Sequence, residues 1–165
     1  MSKILVRNDQ KIMRLPIRPM KAMAKEIMRH LQRDEQELSL VFVNDASIAE
    51  INKEFLGRTG PTNVISFDYG SGAQKDAPAF DNPLLGEIVV SVERCADNAR
   101  KADIPAIEEV VFCVIHGIAH LHGYDHEDVG DEEVRAMELF EKEIFLRFGK
   151  LVPGVLGVGA DGQSC

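Results

Sequence analysis

The chain has 165 residues, 45% of them hydrophobic and 28% charged. That is the balance of one globular domain, not of a disordered, collagen-like or membrane-spanning chain. The formal net charge is -8, yet residues 1 to 33 carry nine Lys/Arg against Asp9 and Glu26, a local +7 that leaves -15 on the other 132 residues.

The N-terminal stretch MSKILVRNDQKIMRLPIR is interrupted by charge every few residues, so no signal peptide is expected there and the protein is expected to stay in the cytoplasm. Lys3 to Asn8 reads as a short edge strand. Pro19 is expected to open a helix reaching about Gln32, with Met20, Met23, Ala24, Ile27 and Leu31 as its apolar stripe. Lys21, Lys25 and Arg29 fall four apart on another face of that helix. Such a stripe fits the phosphates of a nucleic acid, and it equally fits a solvated basic face. Leu38 to Val43 reads as a buried strand, and Asn44 to Ser47 supplies N-cap chemistry for a helix through about Phe55.

Two glycines and Pro61 mark a loop from Gly57 to Thr62, followed by a strand from Asn63 to Phe67. Residues 69 to 83 have loop composition. Gly86 to Val90 is the fourth strand; helices are expected from about Glu93 to Lys101, from Pro105 to Leu121 and from Asp131 to Phe148. A glycine-rich tail follows from Gly149 to Cys165. Strands interleaved with helices predict an α/β or α+β domain built on one four-stranded sheet.

Three cysteines, Cys95, Cys113 and Cys165, are odd in number and form no CxxC pair. Reduced thiols are expected, and a metal would have to be held by histidine or carboxylate. Of five histidines, four (His116, His120, His122 and His126) lie within eleven residues. On the helix from Pro105 to Leu121, His116 and His120 are one turn apart, opposite a stripe of Ile107, Val111, Val114, Ile118 and Leu121. Gly123 can end the helix with a left-handed residue and return the chain so that His126 approaches the same point. Three neutral imidazoles leave a tetrahedral ion with one position open to water, the pattern of catalytic zinc. His122 should point away from the other three, and Asp125 is expected mainly to stabilise the turn. Position 117, where HExxH proteases carry their general base, is Gly117, which disfavours peptide hydrolysis by that route. Glu109 is expected to be a solvent or capping residue, with a role as an alternative base left open.

The string HGIAHLHGYDH resembles the H-G-x-x-H-L-x-G-Y-D-H signature of the YbeY family of metal-dependent endoribonucleases. NKEFLGRTGPTNVISF and LLGEIVVS are similar to two further family segments, so the resemblance spans about residues 1 to 150. It implies an α+β, zincin-like single domain, with a four-stranded mixed sheet packed with about five helices; the tail over 151 to 165, which the resemblance does not cover, is expected to be flexible from its glycine content. One Zn2+ per chain is implied at His116, His120 and His126, with His116 also catalytic. Single-strand-specific cleavage in maturation of the 3' end of 16S ribosomal RNA and in ribosome quality control is implied as well. The implied partners are single-stranded RNA, small-subunit ribosomal RNA, the ribosome, a small-subunit ribosomal protein and an Era-type GTPase, with no membrane. The family's usual arginine before the glycine aligns with Leu56, and Arg58 is the candidate to replace it. Lys21, Lys25 and Arg29 would follow the RNA backbone. Two alternatives stand: a zincin-type metallohydrolase acting on peptides or other esters, and a ribosome-assembly binding factor with a non-catalytic zinc.

Overall fold

A computed structural model describes residues 2–69 and 84–157. The expected loop from 69 to 83 therefore lies, beyond Tyr69, outside the described residues. In chain order the elements are β1 (Lys3–Asn8), α1 (Ile17–His30), β2 (Glu37–Val43), α2 (Asp45–Leu56), β3 (Val64–Asp68), β4 (Leu84–Ser91), α3 (Val92–Ala102), α4 (Ala106–Leu121) and α5 (Asp131–Phe148). A 3-10 turn, Gly149–Leu151, follows directly. This is an α+β fold with a mixed four-stranded sheet in the order β1-β2-β4-β3. β1 pairs parallel with β2, β2 parallel with β4, and β3 antiparallel with β4. β1 occupies one edge as expected, and β3 occupies the other. Among the described residues no single helix is long and apolar enough to cross a membrane.

The alternation of side chains along the strands gives the sheet two apolar faces. Leu38, Leu40, Phe42, Ile88 and Val90 join α1, α4 and α5 in the larger core. Val41, Val43, Ile65 and Val89 pack with Ile48 of α2 in a smaller cluster on the other face. α1 starts two residues before Pro19, with Pro16 at its N-cap, and buries Met20, Met23, Ala24, Ile27 and Met28. α2 is capped by Asn44, whose side chain accepts from the Ser47 N–H at 2.9 Å. Its first residue is tied to the end of β4 by the Ser91 hydroxyl, which donates to Asp45 at 2.8 Å, and by Arg94 at 2.6 Å.

α4 departs from the one-sided helix that its periodicity predicts. Fourteen of its sixteen residues are buried, so it is enclosed on nearly every side, lying against α3, α5, β3 and β4. Glu109 is buried with it at 4% exposure, not solvated, and accepts from the Cys113 thiol at 3.9 Å. Cys95 and Cys113 are free and buried, with sulfurs 3.6 Å apart. The helix lies close against the sheet at Gly117, where an added Cβ would meet Ile88 of β4 at 2.6 to 2.9 Å. Within the expected tail, Val152 is buried. The N–H groups of Leu156 and Gly157 donate to the Glu108 carboxylate at 2.8 and 2.7 Å. Residues 158–165 lie outside the described residues.

Because the contact at Gly117 involves a buried branched side chain in a filled core, Gly117→Ala is expected to lower stability by about 1–3 kcal/mol despite alanine's better helix propensity. Thermal unfolding measures this, and a melting temperature equal to or above that of the parent would contradict the close approach.

Candidate metal centre

His116 and His120 are carried on the last two turns of α4. The helix ends at His122, and Gly123 follows with a φ of 102°, a backbone region that side chains disfavour. The Tyr124 N–H then bonds back to the Ala119 carbonyl at 3.0 Å. Asp125 takes the expected turn role: its carboxylate accepts from the N–H groups of His126 and Glu127 at 2.7 and 3.1 Å. These bonds hold its pKa low. The reversal brings His126 beside the two helical histidines, with ring centroids 4.7 to 5.0 Å apart, and one ligand nitrogen from each of the three lies within 4.8 Å of the others.

The fit of this cluster to a cation can be judged from its hydrogen bonds. His116 Nδ1 lies 2.6 Å from a Glu141 oxygen, and His120 Nδ1 lies 3.1 Å from the Tyr124 carbonyl. Both partners are acceptors, so both Nδ1 atoms carry a proton, and in the neutral tautomer each Nε2 presents a bare lone pair. In that tautomer the two Nε2 atoms face each other at 3.2 Å with no proton to share. Two nitrogens that each bind a tetrahedral zinc at about 2.0–2.1 Å stand about 3.3 Å apart, so a cation satisfies a pairing that otherwise repels. His126 Nδ1 adds a buried nitrogen with no hydrogen-bond partner. Burial, and then the neighbouring His116 and His126, lower the pKa of His120, which favours the neutral ring that a metal requires. The three histidines fit a divalent ion.

Glu141 is the residue that sequence reasoning missed. It occupies the inward face of α5 with Met137, Ile144, Phe145 and Phe148, and it is 5% exposed. A carboxylate on an apolar helical stripe was the available signal, since a buried acid needs a partner. His122 turns away from the cluster as expected. Its Nδ1 accepts from Arg33 Nε at 2.8 Å, and its ring stacks on Phe140 at 5.8 Å. Burial and the Arg33 charge lower its pKa, consistent with an unprotonated acceptor nitrogen.

The histidines open into a cavity of about 640 Å³ that follows the outer edge of β3 and is walled by the end of α2, the loop after it and the turn after α4. Arg58 is brought to this cavity by the C-terminus of α2. Gly57 is left-handed, Arg58 N–H bonds to the Asn52 carbonyl, and the Asn52 side chain donates to the Gly60 carbonyl at 2.9 Å. The Arg58 guanidinium pairs with Glu127 at 3.2 Å and keeps that carboxyl below its usual range. Leu56 also lines the cavity. Lys21, Lys25 and Arg29 do not; they lie on α1, where Arg29 pairs with Glu26 at 3.3 Å. Glu109 is likewise absent from the cavity wall.

A sequence profile described as Endoribonuclease YbeY matches residues 5–149. The chain belongs to the endoribonuclease YbeY family. It is 38% identical over 142 residues to the Endoribonuclease YbeY of Syntrophus aciditrophicus, covering 86% of this chain and 87% of that protein. It is also 38% identical over 143 residues to that of Geobacter sulfurreducens, covering 87% and 93%. The solution structure of TM1509 from Thermotoga maritima shares the fold, with a TM-score of 0.55 and 21% identity over 91% of this chain and 93% of that one. As a member of this family the chain is a hydrolytic nuclease, and its three histidines are suited to a metal cofactor.

Replacing Glu141 by glutamine retains an acceptor but removes the charge that fixes and polarises His116. Glu141→Gln is expected to weaken metal affinity about 10- to 100-fold, as loss of such supporting carboxylates does. Competition against a chromophoric chelator measures this, and unchanged affinity would show that Glu141 does not tune the ligand.

Proposed function

We propose that this chain is a zinc-dependent endoribonuclease that cleaves single-stranded RNA, matures the 3' end of 16S ribosomal RNA and takes part in ribosome quality control. The observation that carries the reading is the pair of Nε2 atoms of His116 and His120, 3.2 Å apart in the wall of an open cleft. Membership of the endoribonuclease YbeY family supplies the substrate class. His116, His120 and His126 hold one Zn2+ per chain, with His116 kept in its ligand tautomer by Glu141. The ion supplies Lewis-acid activation of water and of a phosphodiester.

Arg58 is the cation of the cleft that neutralises phosphate charge as it develops, in place of the arginine that Leu56 displaces. To do so it exchanges its exposed ion pair with Glu127 for substrate, a small loss because such surface pairs are weak. Thr59, Thr62 and Ser66 line the same cleft with hydroxyl groups able to bond phosphate or ribose oxygens. Lys21, Lys25 and Arg29 contact RNA outside the cleft, where their effect is electrostatic. The enzyme works in the cytoplasm on the small ribosomal subunit, with a small-subunit ribosomal protein and an Era-type GTPase as protein partners.

The geometry at position 117 disfavours the peptide-hydrolase alternative. A glutamate there would have to displace Ile88 of the sheet. The binding-factor alternative makes no use of a cleft that reaches the ligand nitrogens.

His116→Ala is expected to abolish cleavage of a single-stranded ribosomal RNA fragment while leaving the circular dichroism spectrum unchanged. Unchanged cleavage by the folded variant would contradict the proposal. Metal-loaded protein incubated in parallel with RNA and casein is expected to cut only the RNA; cutting of casein alone would favour the peptidase.

A further inference from the structure

Among the described residues only two Phe or Tyr side chains are exposed, Phe55 at 62% and Tyr69 at 52%. Neither ring lines the cleft itself, but each is the chain neighbour of a residue that does, Phe55 of Leu56 and Tyr69 of Asp68. Burial of a ring of this size is strongly favoured, so two left in water next to the cleft wall call for an occupant.

Their settings resemble platforms rather than loose loop residues. Phe55 sits on the last turn of α2, and its ring meets Phe67 of β3 edge-on, with centroids 5.6 Å apart and planes at 77°. Phe67 is half-buried in the smaller core cluster and anchors that ring. The Tyr69 N–H bonds to the Leu85 carbonyl at 3.0 Å, which continues the β3 to β4 pairing past Asp68. Tyr69 is therefore held at the end of a paired strand. Leu56, 46% exposed, extends the apolar surface of the rim towards the cleft.

We propose that Phe55 and Tyr69 form a base-stacking subsite that holds unpaired bases of the RNA next to the bond being cut. The proposal rests on the endoribonuclease reading above. Every base offers a π-face, so flat rings at the rim bind a strand without reading its sequence. Duplex bases are stacked on one another and cannot take part, so the subsite selects single strands. It divides the work of recognition: Arg58 and the hydroxyl groups of the cleft hold the phosphate and ribose, while the rim aromatics hold bases.

The test uses full-length, metal-loaded protein and a nuclease-resistant 2'-O-methyl phosphorothioate oligonucleotide, with affinity read by fluorescence anisotropy. Phe55→Ala, Phe55→Leu and Tyr69→Ala are expected to weaken binding about 5- to 150-fold each, the range for loss of one stacked base. They should raise KM for cleavable RNA with kcat changed less than twofold. Melting temperatures should match the parent, because both rings are exposed. The slope of log affinity against log salt should stay constant, because no phosphate contact is removed. On an oligonucleotide whose bases are replaced by abasic sites, the parent and the three variants should bind equally. Affinity for the intact strand within twofold of the parent in all three variants, or equal losses on the abasic strand, would overturn the subsite while leaving the nuclease reading intact. Failure of the parent to bind or cut any single strand would overturn both.

Discussion

The Nε2 atoms of His116 and His120 face each other across 3.2 Å, turned towards a common ion because the opposite nitrogen of each ring is committed elsewhere. Everything else in the site serves that arrangement. Glu141 reaches from α5 to His116, and the Tyr124 carbonyl returns from the turn to His120. The acid is buried and would be costly there without a partner, so helix packing and ligand chemistry are the same interaction viewed from two elements. The turn has its own braces. Arg33 at the end of α1 donates to His122, and Tyr124 stacks on Phe140 with ring centroids 4.5 Å apart. A loop that would otherwise be free to move is held from α1 and α5, and the third histidine is delivered with it.

The sheet explains why the site opens where it does. β3 is an edge strand, antiparallel to β4 while the other pairs are parallel, so among the described residues its outer side has no strand neighbour. The end of α2 and the turn after α4 stand on either side of that edge, and the cleft runs between them. Gly117 lets α4 approach β4, and the Ser66 hydroxyl lies 3.5 Å from the Gly117 carbonyl, next to the first ligand. A compact core contact thus sets the depth of the histidines below the rim. The basic stripe of α1 is separate from this cleft, so local charge and local chemistry occupy different parts of the surface.

Much of this was legible in the sequence because it is local. The histidines four apart, the glycine that reverses the chain after them, and the Asn44 cap all act within a few residues, where helix geometry determines the outcome. The resemblance in HGIAHLHGYDH added the family and the three-ligand set. What escaped depends on packing between distant elements. Glu141 lies 25 residues from the ring it orients, and its place on the apolar stripe of α5 signals burial without naming the partner it meets. The apolar stripe assigned to α4 was incomplete because a central helix is covered on several sides, which periodicity alone does not reveal. Glu109 was expected at the surface and is buried for the same reason.

X-ray absorption spectroscopy of the zinc-loaded protein tests the central claim most directly, since it reads the ligands around the ion itself. The account predicts three imidazole nitrogens at about 2.0–2.1 Å and one further oxygen from a small molecule such as water. Sulfur scattering at about 2.3 Å, or fewer than three imidazoles, would contradict it.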